Sequence, residues 1–206
     1  PEGGASGSAV AEPLPLVAFD FGIKRNILRL LVGCGFAPTV VPAGTSAEEA
    51  LAMHPRGIFL SNGPGDPGAV AYAHATIRRL AEQGLPTLGI CLGHQILAHA
   101  FGGRTVKMKF GHHGANHPVL ELDGGRIDIT SQNHSFAVDG ASLEGTGLKV
   151  THKNANDDCV EGLRHETLPV FSVQYHPEAA PGPHDARHLF LRFRKLVKKR
   201  GRVPAA

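Results

Sequence analysis

The stretch PTLGICLGHQILAHAFG, residues 86–102, determines how this chain folds. Its first five residues form a short apolar run that predicts a buried strand, and residues 93–101 predict a helix. Cys91 lies between them, with Gly89 two residues before it and Gly93 two residues after it. This pattern is typical of a tight strand-to-helix elbow, in which only glycine fits beside an exposed nucleophile. The helix N-terminus would favour the thiolate, so we predict that Cys91 is reactive, although a small buried cysteine is the simpler alternative.

The residues before this stretch repeat the same alternation of strand and helix. Strands are predicted at 16–20, 37–41, 57–60 and 86–90, and helices at 24–32, 46–53, 69–83 and 93–101. This order predicts a parallel sheet with helices on both faces. Ser46 is predicted to cap its helix, because Glu48 and Glu49 follow in the first turn.

Beyond Gly102 the pattern changes to short, alternating segments separated by Gly, Asn and Asp. Strands are predicted at 105–110, 119–122, 126–130, 135–138 and 170–175, and an amphipathic helix after Asp185. We therefore predict a three-layer α/β fold with a flavodoxin-like core, a mostly parallel central sheet and extra antiparallel strands. The expected organisation is a leader or linker at 1–15, one domain at 16–198 and a tail at 199–206.

Bulk properties exclude several classes of protein. The chain has 206 residues and a formal net charge of +3, with basic residues concentrated near its end rather than along a stripe. We therefore expect no nucleic-acid partner. No apolar run is long enough to cross a bilayer and no signal peptide is visible, so we expect no membrane association. Three scattered cysteines fit a reducing compartment. Because the chain begins at Pro1 rather than Met, we expect that it was processed, trimmed or cut from something longer.

A second motif, Gln174-Tyr175-His176-Pro177-Glu178, follows an apolar run. Pro177 favours an extended backbone at His176, and residues two apart on an extended chain face the same side. His176 and Glu178 are therefore predicted to serve one site. A thiol, an imidazole and an orienting carboxylate are the parts of a cysteine-based acyl-transfer site.

A third motif, Asn62-Gly63-Pro64-Gly65-Asp66-Pro67, also follows a predicted strand. Ligands bind outside the C-terminal ends of the strands in open parallel sheets. The Gly63 N–H could therefore join the Leu92 N–H in an oxyanion hole, although alone the motif indicates a turn. It is not a phosphate-binding loop, because the necessary Lys and Ser/Thr are missing.

Together these motifs resemble the class I (triad) glutamine amidotransferases. Within that class, five further stretches resemble the small subunit of carbamoyl-phosphate synthetase, at residues 19–28, 107–113, 116–118, 131–134 and 180–185. The resemblance covers about residues 16–197.

The resemblance implies a reaction in which Cys91 attacks the side-chain amide of L-glutamine and forms a γ-glutamyl thioester. His176 acts as base and then acid, Glu178 orients it, and Gly63 and Leu92 bind the oxyanion. The implied substrate-binding residues are Gly63, Gly65, Leu92, Gln95, Asn133, Ser135 and Phe136. Ammonia would pass to a large synthetase subunit, which uses ATP, Mg and bicarbonate to make carbamoyl phosphate for the arginine and pyrimidine pathways. This chain itself would need no cofactor and would lie in the cytoplasm or the chloroplast stroma.

Two departures from the family pattern affect these expectations. Ser135 stands where many relatives have glycine, and the N-terminal domain that the resemblance implies is absent from this sequence, which could weaken glutamine binding. Three alternatives stay open: the amidotransferase of an anthranilate, GMP or CTP synthase, a catalytically silent docking module, and a cysteine peptidase on the same fold.

The 13 histidines raise the question of a metal site. His112, His113 and His117 lie close together in sequence, but no cysteine or carboxylate completes a recognisable zinc pattern. His94 and His99 are five residues apart, which does not place them on one helix face. We therefore expect no metal, and we expect the segment 107–117 to pack locally or to contact the partner subunit.

Overall fold

The computed structural model describes residues 12–200. Most of the expected leader and the end of the expected tail lie outside the described residues. The strands are β1 Leu14–Asp20, β2 Phe36–Pro42, β3 Gly57–Leu60, β4 Thr87–Ile90, β5 Thr105–Glu121, β6 Ile127–Val138, β7 Leu148–Asn154, β8 Val160–His165 and β9 Val170–Val173. The α-helices are α1 Arg25–Gly33, α2 Ala47–Ala52, α3 Ala71–Glu82, α4 Leu92–Ala100 and α5 His188–Arg200. Short 3₁₀ helices cover Pro67–Val70, Gly140–Leu143 and Asp185–Arg187.

These strands form a single sheet in the order β2-β1-β3-β4-β9-β8-β6-β5-β7. The first five are parallel in neighbouring pairs. Their order is that of a flavodoxin-like sheet, with β9 in the position of the fifth strand. The remaining pairs are antiparallel, and β8 pairs with both β9 and β7. The predicted α/β fold is therefore confirmed, and its sheet joins a parallel half to an antiparallel half that is larger than a mostly parallel sheet implies.

Two hydrophobic clusters, one against each face of the sheet, produce the three layers. Helices α2, α3 and α4 supply buried residues to one cluster, and α1 and α5 supply buried residues to the other. Helix α1 is amphipathic and buries Ile27 and Leu31, whereas nearly all of α4 is buried because it packs beneath the site. Within residues 12–200, no helix is long and apolar enough to cross a membrane.

The predicted elements of the first 100 residues agree with the structure to within a few residues. The first strand starts at Leu14, two residues earlier than predicted. The helix predicted from residue 69 begins as a 3₁₀ turn before α3. The cap at Ser46 is a complete capping box, since its side chain accepts from the Glu49 N–H and Glu49 accepts in return.

The second half differs from the predictions. The strands predicted at 105–110 and 119–122 are one strand, β5, and those predicted at 126–130 and 135–138 are one strand, β6. Irregular register near Gly111 and Gly114 interrupts the apolar alternation without ending the pairing. Strands β7 and β8 were not predicted, because polar residues such as His152 and Glu161 are buried in them.

Candidate active site

Cys91 occupies a strained turn between β4 and α4. Its φ is 54° and its ψ is −103°, a combination that side chains rarely adopt. The flanking glycines permit this turn. A Cβ at Gly89 would lie 2.6 Å from the Gly93 carbonyl oxygen, and one at Gly93 would overlap the Leu60 carbonyl. The tight elbow predicted from the sequence is therefore present.

His176 and Glu178 lie beside this elbow. The Nδ1–H of His176 donates to Oε1 of Glu178 over 2.7 Å, and both residues are buried. The sequence analysis expected an extended backbone to place both side chains on one side of the chain. In the structure β9 ends at Val173, and a turn at 177–178 brings the two side chains together instead. The Cys91 N–H donates to the Val173 carbonyl, which joins the nucleophile's turn to β9, the strand that leads to His176.

The pKa of His176 reflects two opposed influences. Burial lowers it, but hydrogen bonds to Cys91 and Glu178 and the charges of both side chains raise it, and the net result is a pKa of about 9. Near neutral pH His176 is therefore an imidazolium. An imidazolium beside Cys91 can donate a proton to a leaving group.

Lys24 is a charged residue of this site that the sequence analysis did not assign to it. Its Nζ donates to Oε1 of Glu178 over 3.0 Å and lies 3.2 Å from Nδ1 of His176. Since the His176 Nδ1 proton is donated to the carboxylate, the ion pair with Glu178 is the attractive contact. The Lys24 N–H donates to Oδ1 of Asn62, which connects the β1–α1 loop to the loop after β3.

The loop after β3 brings Gly63 close to the start of α4. A Cβ at Gly63 would overlap the Phe21 carbonyl and would lie 2.9 Å from a methyl carbon of Leu92. The Gly93 N–H donates to the Ser61 carbonyl over 3.0 Å, which fixes the loop against the first turn of α4. The structure therefore brings together the two residues that the sequence suggested for an oxyanion hole.

A cavity of about 660 Å³ opens at these strand ends. Eight of the residues that the sequence assigned to the site line it: Gly63, Gly65, Cys91, Gln95, Asn133, Ser135, Phe136 and His176. Two of the assigned residues, Glu178 and Leu92, do not line the cavity. Glu178 contacts His176, which does line it. The cavity is large enough for an amino acid.

Gln95 faces this cavity with its amide held in one orientation. Its Nε2 donates to the Phe136 carbonyl over 2.8 Å and to Oε1 of Gln174 over 2.9 Å. Both amide hydrogens are therefore used within the protein. The Oε1 atom is left as the group that can accept a hydrogen bond from a ligand.

Strand β6 forms another wall of the cavity. The Asn133 carbonyl lies 4.0 Å from Sγ of Cys91, and Oδ1 of Asn133 lies 3.0 Å from Nδ1 of His113. The segment 107–117 therefore does more than pack locally, since Lys107 and His113 line the cavity.

Further lining residues that the sequence analysis did not assign are Lys24, Asn62, Pro64, Asp66, Lys107, His113 and His134. All of them lie within or beside the motifs quoted above. Their position within or beside those motifs was the only indication in the sequence that they could belong to the site. Strand pairing determines which of these side chains reach the cavity, and the sequence does not reveal that pairing.

Comparisons with known proteins cover most of this chain. The model of the family Glutamine amidotransferase class-I matches residues 17–196. The chain is 59% identical over 184 residues to the carbamoyl phosphate synthase small chain of Syntrophotalea carbinolica, covering 89% of this chain and 48% of the relative. It is 62% identical over 186 residues to the carbamoyl phosphate synthase small chain of Chlorobaculum tepidum, covering 89% of this chain and 50% of the relative. The chain therefore spans about half the length of the curated relatives it matches.

A solved structure shares the fold. It is described as a GMP synthase component from Thermoplasma acidophilum, and it matches with a TM-score of 0.79 and 23% identity over 92% of this chain and 96% of that one. At this identity, the likeness concerns the arrangement of strands and helices alone.

Proposed function

Because this chain belongs to the class I glutamine amidotransferase family, we propose that it hydrolyses L-glutamine to glutamate and ammonia with Cys91, His176 and Glu178 as its triad. The observation that carries the proposal is the 2.7 Å contact between His176 and Glu178 beside a strained Cys91 at the cavity. The proposed roles follow from the geometry of these three side chains.

The Cys91 thiolate attacks the side-chain amide carbon of glutamine, and the carbonyl oxygen takes up the negative charge. The N–H groups of Gly63 and Leu92 are proposed to bind that oxygen. Collapse of the intermediate breaks the C–N bond, and the proton on His176 goes to the departing ammonia. Water, deprotonated by His176, then attacks the thioester, releases glutamate and restores the thiolate and imidazolium pair. No cofactor is needed for these steps.

The substrate is proposed to lie along the wall formed by α4 and β6. Oε1 of Gln95 accepts a hydrogen bond from a substrate N–H, since the Nε2 of Gln95 is already bound within the protein. Gly65, Asn133, Ser135 and Phe136 contribute the other contacts. Ser135 is on the cavity wall and contributes through its backbone, so that the serine found in place of the family's glycine is tolerated.

We further propose that the ammonia serves carbamoyl phosphate synthesis. The identity of about 60% to the two small chains supports this role over that of another synthase. In this proposal a large synthetase subunit is the partner, and that subunit uses ATP, Mg and bicarbonate. The product would supply the arginine and pyrimidine pathways, and the compartment would be the cytoplasm.

The test is glutamate release from glutamine by the wild type and by Cys91→Ala, each with and without a carbamoyl-phosphate synthetase large subunit. We expect release that requires Cys91 and increases when the large subunit is added. Ammonia-dependent synthesis by the complex should survive the Cys91→Ala substitution, because ammonia bypasses the thioester.

Other results would select an alternative function. Cys91-dependent release that no large subunit stimulates would remove the carbamoyl phosphate role and keep the amidotransferase chemistry. Synthesis with ammonia but no glutaminase activity in either protein would indicate a docking module.

A further inference from the structure

A second group of buried polar side chains lies beside the cavity, where β5, β6 and β8 meet, and His134 of this group lines the cavity wall. His112, His134 and Glu161 each offer one ligand atom there, and these atoms lie within 4.8 Å of one another. The residues are 7%, 6% and 0% exposed. A fully buried carboxylate beside two imidazoles is costly unless a cation compensates it.

The free atoms of this group face one another. Nδ1 of His112 and Nε2 of His134 are buried and have no hydrogen-bond partner among the described residues. Nδ1 of His112 lies 3.4 Å from Oε1 of Glu161, which is too long for a charge-assisted hydrogen bond. Two ligands on a tetrahedral zinc ion are separated by about 3.4 Å, given metal–ligand distances of about 2.0–2.2 Å.

The outer contacts of the three side chains have the pattern that surrounds metal ligands. Nε2 of His112 donates to Asp157 over 2.8 Å, and Nδ1 of His134 donates to the Phe136 carbonyl over 2.8 Å. Each histidine thus directs its other nitrogen inward with a defined tautomer. The Glu161 carboxylate accepts from Gln132 over 2.9 Å and from Asn154 over 3.2 Å.

We propose that the chain binds one divalent transition-metal ion, of the class of Zn²⁺, between Nδ1 of His112, Nε2 of His134 and Oε1 of Glu161. Two imidazoles and one carboxylate are a donor set that suits zinc. The ion neutralises Glu161 and links β5, β6 and β8 beside the cavity, which His134 lines. No sequence motif indicates this set, since Glu161 lies in a strand that was not predicted.

A neighbouring group formed by His112, Asp157 and Cys159 is the competing site. It is less suited to an ion, because the His112 Nε2 proton is already donated to Asp157. Burial and the nearby carboxylates also raise the pKa of Cys159 to about 12, which opposes formation of the thiolate ligand.

The test is zinc content after the chain has been stripped with a chelator, equilibrated with Zn²⁺ and desalted. All proteins carry Cys91→Ser, because the thiolate of the elbow would itself bind zinc. We expect about one zinc per chain in this parent, in the control His184→Gln, which changes an exposed histidine, and in Cys159→Ser. We expect at least a tenfold loss in Glu161→Gln and in His112→Gln.

Glu161→Gln is the central variant, because it preserves the shape of the side chain and removes its charge. Circular dichroism establishes that it is folded, and Co²⁺ in place of Zn²⁺ should give tetrahedral visible bands in the parent but not in Glu161→Gln. Zinc content in the parent no higher than in Glu161→Gln would overturn the proposal. Loss of zinc in Cys159→Ser with retention in Glu161→Gln would also overturn it, in favour of the competing group.

Discussion

Nζ of Lys24 lies 3.0 Å from Oε1 of Glu178, although 154 residues separate the two along the chain. The Glu178 side chain is 1% exposed and that of Lys24 is 47% exposed, so the lysine reaches from the surface to a buried carboxylate. Burial raises the pKa of Glu178, but His176 and Lys24 lower it, and the net pKa is below its ordinary value. The loop between β1 and α1 thus contributes to the charge of the triad.

Lys24→Met should reduce glutaminase turnover by about tenfold, which corresponds to about 1.4 kcal/mol in the barrier. Without the ammonium, the pKa of Glu178 increases, so the acid limb of the pH–rate profile should move to higher pH. The measurement is kcat between pH 4.5 and 8. Lys149→Met, which breaks an exposed pair with Glu166, is the control and should leave the limb unchanged. An unmoved acid limb in Lys24→Met would contradict the assigned role.

Glu178→Gln should move the alkaline limb of the same profile to lower pH. His176 has a pKa of about 9 partly because of the Glu178 charge, and an amide oxygen can still accept the Nδ1–H without supplying that charge. The wild type should lose activity as the pH rises through about 9, where His176 gives up the proton that ammonia needs. Glu178→Gln should lose activity at a lower pH than the wild type, and its kcat should be at least tenfold smaller. An alkaline limb that stays near pH 9 would show that another group controls it.

Gln174→Leu should raise KM for glutamine by about tenfold, with a smaller change in kcat. Gln174 is fully buried and its Oε1 accepts from Nε2 of Gln95, so its loss lets the Gln95 amide rotate. Gln95→Leu is the matched comparison, because it removes the amide itself. If Gln174 acts through Gln95, the double variant should have the KM of Gln95→Leu alone. A further increase in the double variant would indicate an independent role.

The stability of the protein should fall as the solution is acidified below pH 6.5. Burial is the main influence that lowers the pKa of His94 to about 3, below the value of about 6.5 in the unfolded chain. Between these two pKa values, His94 binds a proton in the unfolded state but not in the folded state. The stability from neutral His94 is thus complete above pH 6.5 and is lost as the pH falls toward 3, by about 1.4 kcal/mol per pH unit.

His94→Gln should reduce this slope by about one proton. The measurement is the free energy of unfolding in urea at pH 5.0, 5.5 and 6.0 for the wild type, His94→Gln and the exposed control His184→Gln. The control should retain the wild-type slope. Equal slopes in all three proteins would mean that His94 does not titrate on unfolding.

Local signals made the first half of the fold predictable. The capping box at Ser46 and the elbow at Cys91 are each formed by residues within a few positions of one another. The sequence predicts two strands where the structure has β5 alone, because register shifts near Gly111 and Gly114 interrupt a pairing that continues on both sides. Strand β8 is not predicted because Glu161 is fully buried in it, where it accepts hydrogen bonds from Gln132 and Asn154 of other strands.

The functional site shows the same difference between residues identified by local motifs and residues brought in by distant strand pairing. The positions of Cys91, His176 and Glu178 followed from motifs that are short in sequence, and the structure brings them together. The contacts of Lys24 with Glu178 and of His112 with Glu161 did not follow, because they depend on which strands become neighbours. Periodicity identifies a buried face, but it does not identify the element that covers it.

The position of β9 has a consequence for the timing of synthesis. This strand lies between β4 and β8 in the sheet, yet it is the last strand of the described chain to be made. His176 follows three residues after β9 ends, so the imidazole arrives with the strand that completes the parallel half of the sheet. A chain that stops before β9 has the thiol but lacks its proposed base. Because the proposed hydrolysis needs His176, it requires that β9 has been made and has joined the sheet.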